Sequence, residues 1–325
     1  VESRTKRRLS PSELDALARR AMGVGVSEAV ELTDGFANAV WRLSLDDGRE
    51  VVLKLSPPPG LRQLTYERDL LRMEAAAIEL AGSAGVPVAG LLRAGFDDPV
   101  LGGDYLVLTA LDGTPWNRSA PEDPQGVRRE LGRHLARLAS VTGEVFGYPH
   151  NGITAPTWRA AYLAMLDALL ADTLRYPTPL PVPAGEIRRV AGAAAEVLDE
   201  VRTPSLVHFD VWPGNVFLAP PGSANGRIQA IIDLERAFWG DPLADLVTPT
   251  IFGELAETDA LLAGYREVRP LELTPAALAR VDLYRVYLYL ILLVENGPRQ
   301  YPEEDYAPLR ELATTSLAKA VEALR

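Results

Sequence analysis

The pattern of apolar residues changes once along this chain, near residue 110, and that change constrains the fold more than any other feature. Before it the spacing is that of short strands. Trp41, Leu43 and Leu45 alternate with polar residues, Asp46-Asp47-Gly48 signals a turn, and Val51-Val52-Leu53-Lys54-Leu55 reads as the returning strand. Pro57-Pro58-Pro59-Gly60 breaks the chain, and the spacing predicts one helix over 64–81. Val86-Pro87-Val88 then leads into strands that end in Tyr105-Leu106-Val107-Leu108-Thr109. Ser10-Pro11-Ser12-Glu13 opens an N-terminal helix. Beyond Asp112-Gly113-Thr114-Pro115 the spacing becomes helical over 125–142, 157–174, 186–201, from Thr274-Pro275 to Val294, and over 308–324. Asn296-Gly297-Pro298 reads as a stop. One β-rich island, 206–233, interrupts the helices. The expectation is an α+β chain of two lobes, a sheet with one crossing helix in 1–110 and a mostly helical unit in 111–325.

The 325 residues are long for one compact core and sufficient for two lobes around a cleft. A formal net charge of −11 argues against nucleic acid and anionic membrane as partners, since both require a basic surface. The absence of cysteine removes disulfides, thiolate nucleophiles and zinc-thiolate sites. His134, His150 and His208 lack metal-ligand spacing, so acid–base and metal chemistry falls to carboxylates. Arg4, Lys6, Arg7 and Arg8 precede no apolar run of the secretory type, and the apolar stretch 286–294 is too short for a membrane span. A cytoplasmic location is expected by default.

The island carries the chemistry. In Val207-His208-Phe209-Asp210-Val211-Trp212-Pro213-Gly214-Asn215-Val216-Phe217-Leu218, a Pro-Gly reversal separates Asp210 from Asn215 and can aim a carboxylate and an amide at one point. A second apolar run, Ile228 to Ile232, ends in Asp233. If the two runs pair as a hairpin, Asn215 and Asp233 lie side by side. Hard oxygens of this kind suit a magnesium ion on phosphates. His-x-Asp alone is unspecific; the whole series to Asp233 is far more specific. Lys54 adds to it, because a lysine in a buried strand needs a counter-ion. The next helical segment offers Glu67 and Glu74 on one face, and periodicity does not choose between them.

With HFDVWPGN and IIDLERAFWGDPLADL the chain resembles the aminoglycoside phosphotransferase family of the protein-kinase-like superfamily, over about 32–246. The resemblance implies a two-lobed kinase-like fold and transfer of a phosphoryl group from Mg-ATP to a hydroxyl of a small molecule. It implies Asp210 as the catalytic base or orienter, and Asn215 and Asp233 as metal ligands. His208 and Asp245 would support the loop. Lys54 would hold the nucleotide phosphates, with Glu74 as its partner by the distance to Val86-Pro87-Val88. Asp34-Gly35-Phe36-Ala37-Asn38 is similar to the nucleotide-covering loop and ends in Asn38. Thr109 and Leu111, in YLVLTALDG, would offer backbone N–H and C=O groups to adenine.

Phe209 and Trp212 stand where many family members have glycine and histidine, and read either as an apolar wall for a sugar ring or as packing residues. Only about a dozen residues separate Asp233 from Leu246, which leaves no room for a peptide-docking activation segment. A small acceptor is expected: first an aminoglycoside or related antibiotic, hence resistance; next a sugar or an amino-alcohol such as homoserine or choline. Trp212, Glu235, Trp158, Glu254, Glu295 and 303–305 are the candidate contacts, and their acids suit an amine-bearing acceptor. A nucleotide-binding regulator without transfer is the competing reading; the intact set Lys54, Glu74, Asp210, Asn215 and Asp233 argues against it.

Overall fold

The computed structural model describes residues 3–32, 38–223 and 227–325. Helix α1 (Pro11–Met22) starts at a capping box, in which Ser10 and Glu13 satisfy each other's backbone N–H groups, and stops at Gly23 in the left-handed region. Strands β1 (Val26–Glu31), β2 (Ala39–Leu45) and β3 (Glu50–Leu55) follow, then helix α2 (Leu70–Ser83) and strands β4 (Leu91–Asp98) and β5 (Gly103–Thr109). They make one antiparallel sheet in the order β1-β2-β3-β5-β4. Alternation sorts its side chains: Val51, Leu53 and Leu55 pack with α1, while Val52, Leu106 and Leu108 face the core that contains α2. Lys54, paired with Leu106 across the strands, therefore points to the α2 side.

Beyond residue 110 come β6 (Thr114–Pro115), α3 (Pro124–Leu138), β7 (Phe146–Tyr148), β8 (Ile153–Ala155), α4 (Trp158–Arg175) and α5 (Ala184–Ala194). Next are β9 (Ser205–Val207), β10 (Val216–Leu218), β11 (Ile228–Ile231) and β12 (Phe238–Gly240). Helices α6 (Ala260–Arg266), α7 (Pro275–Val294), α8 (Asn296–Arg299) and α9 (Glu303–Ala323) complete the chain. Two small sheets, β11-β10-β6 and β8-β7-β12-β9, sit among the helices and present the loops between them. Helix α7, buried nearly all round, is the central post of this lobe. None of the described helices is long and apolar enough to cross a membrane.

The sequence expectation for 64–81 needs correction. Asp69 is left-handed (φ 57°) and separates a single turn, Thr65–Glu67, from α2. The Thr65 N–H and hydroxyl bond the Asp172 carboxylate of α4 at 2.6 and 2.8 Å, so tertiary contacts override the helical spacing. The expected helix 186–201 becomes α5 followed by a tighter turn, Ala195–Glu200. Asn296-Gly297-Pro298 continues into α8 instead of ending in a loop, and α9 starts at Glu303 with Pro308 inside it.

Candidate active site

Lys54 lies almost dry between three carboxylates. Its Nζ is 2.7 Å from Glu74 Oε2 on α2, 2.8 Å from Glu235 Oε2, and in direct contact with Asp233 Oδ1. Burial works against the ammonium, but Asp233, Glu235 and Glu74 together hold its pKa well above the ordinary lysine range. Asp233 stays below the usual carboxylate range: burial would raise it, and Lys54 overrides that. Glu74 is raised by burial, against the pull of Lys54. Glu235 is pushed up to about 8 by burial, with the Asp233 charge adding to it.

The loop after β9 is built on the hairpin β10–β11, where Val216 pairs with Ile231 and the Ile232 N–H bonds the Asn215 carbonyl at 2.9 Å. This register brings Asn215 beside the end of β11. The Asn215 Nδ2 donates to the Asp210 carbonyl at 2.9 Å, and among the described residues no donor reaches its Oδ1. Asp245 clamps the loop from outside: its carboxylate accepts the His208 N–H at 2.9 and 3.1 Å and the Phe209 N–H at 2.8 Å. Thr248 Oγ1 accepts the Val211 N–H at 2.8 Å. The His208 Nδ1 accepts the Asp210 N–H at 3.2 Å, which leaves Nε2 to donate to the Ile232 carbonyl at 3.0 Å. Burial lowers the His208 pKa and keeps this neutral tautomer. The Asp210 carboxyl is raised by burial, with Arg236 pulling the other way. Its Oδ1 is 3.7 Å from Arg236 Nη1.

The structure thus gathers Lys54, Glu74 and Asp233 at one point, with the Asp210–Asn215 loop alongside. Asn38 is buried there too, and its Nδ2 donates to Glu235. Residues 34–37 of the expected covering loop lie outside the described residues. The Thr109 N–H bonds the Gly90 carbonyl at 2.9 Å and its Oγ1 accepts the Gly90 N–H at 2.8 Å, so of its two expected backbone groups Gly90 engages the N–H. The Leu111 carbonyl lies 3.4 Å from Arg42 Nη1. Three expectations are corrected. Glu235 does not open toward an acceptor. The left-handed Asp233 (φ 68°) turns Leu234–Arg236 back, so Glu235 lies against Lys54. Trp158 is a core residue stacked on Phe238 at 5.6 Å. Glu295 is buried between Arg236 and Arg299.

The two departures from the family pattern differ in kind. Phe209 takes the left-handed conformation (φ 61°) and is fully buried against Phe238 and Tyr287. It is a packing residue at a position whose backbone favours glycine. Trp212 is half-buried with its ring over Gly214, where a Cβ would collide with it. Sequence reasoning missed Thr248 and Arg236. Nothing local marks Thr248; an arginine directly after Glu235, in a run of otherwise apolar residues that begins at Asp233, was the available signal for Arg236.

A sheet lobe carrying a buried lysine–glutamate pair, set against a helical lobe with this loop, defines a protein-kinase-like fold. The chain belongs to the phosphotransferase enzyme family, APH, whose sequence profile matches residues 28–284. It is a small-molecule phosphotransferase with a hydroxyl acceptor. A Staphylococcus aureus protein named a probable ketoamine kinase is 27% identical over 242 residues, 68% of this chain and 75% of that one. A Thermobifida fusca protein assigned as a fructosamine-3-kinase superposes with a TM-score of 0.66 at 24% identity, covering 97% of this chain and 99% of that one. The aminoglycoside phosphotransferase APH(4)-Ia, solved with ADP and hygromycin B, gives 0.60 at 19% identity over 96% and 98%. Both superpositions show the fold.

Proposed function

We propose that this chain transfers the γ-phosphoryl group of ATP to a hydroxyl of a sugar-derived amine, with a ketoamine as the leading acceptor class. The convergence of Lys54, Glu74 and Asp233 beside the Asp210–Asn215 loop carries the reading. The ketoamine preference over an aminoglycoside rests on the relatives, since both the S. aureus match and the T. fusca superposition bear such names. This shifts the emphasis from antibiotic resistance to sugar-amine metabolism.

The donor set fits a magnesium ion. Carboxylate oxygens of Glu74, Asp233 and Glu235 lie within 4.8 Å of one another around Lys54. Asn215 Oδ1 and Asp233 would hold the ion, which when bound neutralises charge on the transferring phosphates. Lys54, oriented by Glu74, would bind the phosphates. Leu111 and the Thr109 carbonyl would contact the base. Asp210 would hold the acceptor hydroxyl in line and take its proton, while Asp245, His208 and Thr248 keep that carboxylate aimed. Positioning and charge neutralisation account for the rate, with no covalent intermediate.

The test is ADP release from Mg-ATP against fructosyl-lysine, hygromycin B, kanamycin, homoserine and choline. Turnover with fructosyl-lysine, abolished in Asp210→Asn while ATP binding persists, is expected. Turnover with an aminoglycoside alone would overturn the acceptor assignment. Stabilisation by Mg-ATP without ADP release from any acceptor would favour the regulator reading.

A further inference from the structure

Behind Asp210 runs a line of buried charges that phosphate binding does not use. Arg236 Nη2 is 2.8 Å from Glu295 Oε2, and the same oxygen is 2.9 Å from Arg299 Nη1. Arg299 Nη2 then donates to Glu67 Oε1 at 2.6 Å, and Glu67 Oε2 accepts the Leu64 N–H at 3.0 Å. The side chains of Arg236, Glu295, Arg299 and Glu67 are 8, 3, 1 and 4% exposed. Three separate stretches of the chain supply them, so local sequence does not explain the arrangement. Nor does stability, because a buried ion-pair chain is on average no better than apolar packing of the same volume.

Its geometry at Asp210 suggests what it does. An arginine beside a carboxylate closes to about 2.7–2.9 Å when nothing competes. Here the gap between Arg236 and Asp210 is 3.7 Å, while Glu295 holds the other end of the guanidinium. The Arg236 Nε has no partner among the described residues, so the group is anchored at one end only. Asp233 and Lys54 also act on Asp210, with opposite signs.

Resting on the reading of Asp210 as the group that holds the acceptor hydroxyl, we propose that Glu295, braced by Arg299 and Glu67, is a positioning residue that keeps Arg236 out of direct contact with Asp210. The Asp210 carboxylate then stays uncapped, with an oxygen available to the acceptor. Because Glu67 lies in the turn that leads into α2, the same chain ties the carboxylate to the element that bears Glu74.

The decisive experiment is the crystal structure of Glu295→Gln without nucleotide. The Arg236–Asp210 separation should contract to about 2.8 Å, the bonding distance of a charged pair. An unchanged separation overturns the proposal. With fructosyl-lysine as acceptor, kcat of this variant should fall about ten-fold or more while KM for ATP stays within about two-fold. In an Arg236→Gln background the same substitution should cost nothing further in kcat; an additive loss also overturns the proposal. If Glu295→Gln does not fold, Glu67→Gln frees Arg299 to draw on Glu295 and should give a smaller contraction in the same direction. Asp210→Asn separates the two ideas. If it retains turnover, the reading of Asp210 fails; if it is inactive and the separation in Glu295→Gln is unchanged, only the positioning chain fails.

Discussion

Asp245→Ala measures how much of the site depends on one carboxylate. Asp245 is almost wholly buried, and it is the acceptor for the N–H groups of His208 and Phe209. Burial raises its pKa, against the pull of His208. Truncation orphans two buried donors, at about 1–3 kcal/mol each. Removing a desolvated carboxylate offsets part of this, so a net loss of about 3 kcal/mol is expected. Phe209 is held left-handed at a cost of about 1–2 kcal/mol, and once unclamped the loop relaxes in the direction that relieves it. Asp210 is the next residue, and a shift of about 1 Å there should lower kcat by about 10²-fold. Asp245→Asn behaves differently. Both short bonds end on Oδ1, so one amide oxygen can keep them, and the variant loses the charge and sets a donor NH2 where Oδ2 accepted the His208 N–H at 3.1 Å, about 1–2 kcal/mol in all. Urea unfolding followed by tryptophan fluorescence, with ADP release on the same samples, reads both effects. If the asparagine variant is as damaged as the alanine variant, or the alanine variant loses less than about 1 kcal/mol, the acceptor argument is wrong.

Phe209→Gly relieves about 1–2 kcal/mol of backbone strain but removes a fully buried ring worth about 3–5 kcal/mol, so it should destabilise by about 1–4 kcal/mol; a gain in urea midpoint would mean that the strain dominates. Lys54→Met leaves three clustered carboxylates without their cation and should cost about 3–5 kcal/mol in EDTA, with a larger recovery on adding Mg²⁺ than wild type shows; equal responses would disconnect the cluster from metal binding. His150 titrates at about 4, lowered from 6.5 by burial, so the unfolded chain binds more protons between those values and stability falls as pH drops through that window. That contribution is at most about 3 kcal/mol, and His150→Leu should flatten the urea midpoint between pH 6.5 and 4 relative to wild type.

Several parts of the site were legible because each rests on a short-range rule. Alternation in Val51 to Leu55 puts Lys54 on the face opposite Leu53 and Leu55, and an amine on a buried face requires an acid. The turn chemistry of Pro213-Gly214 and the hairpin length bring Asn215 to the end of β11. Other parts were illegible for equally physical reasons. Glu67 and Glu74 share the helical spacing, yet Asp69 breaks the helix between them. One then faces Arg299 and the other Lys54. Strands β7, β8 and β12 have three residues each, too few for any period to register. That the Thr109 N–H is bonded to Gly90, nineteen positions earlier, is likewise invisible in YLVLTALDG.

From its own residues the chain determines an α+β two-lobed architecture, the phosphotransferase family, and a set of oxygen-bearing and cationic side chains able to handle phosphates. These follow from periodicity and from motifs, which act over a few residues. Partner choice among those side chains was decided only in three dimensions. Which acid meets Lys54, which way Glu235 turns, and how far Arg236 stands from Asp210 depend on distant segments competing for the same charges. In a buried, water-poor site those pairings follow the arrangement of the whole set, and no local stretch of sequence contains it.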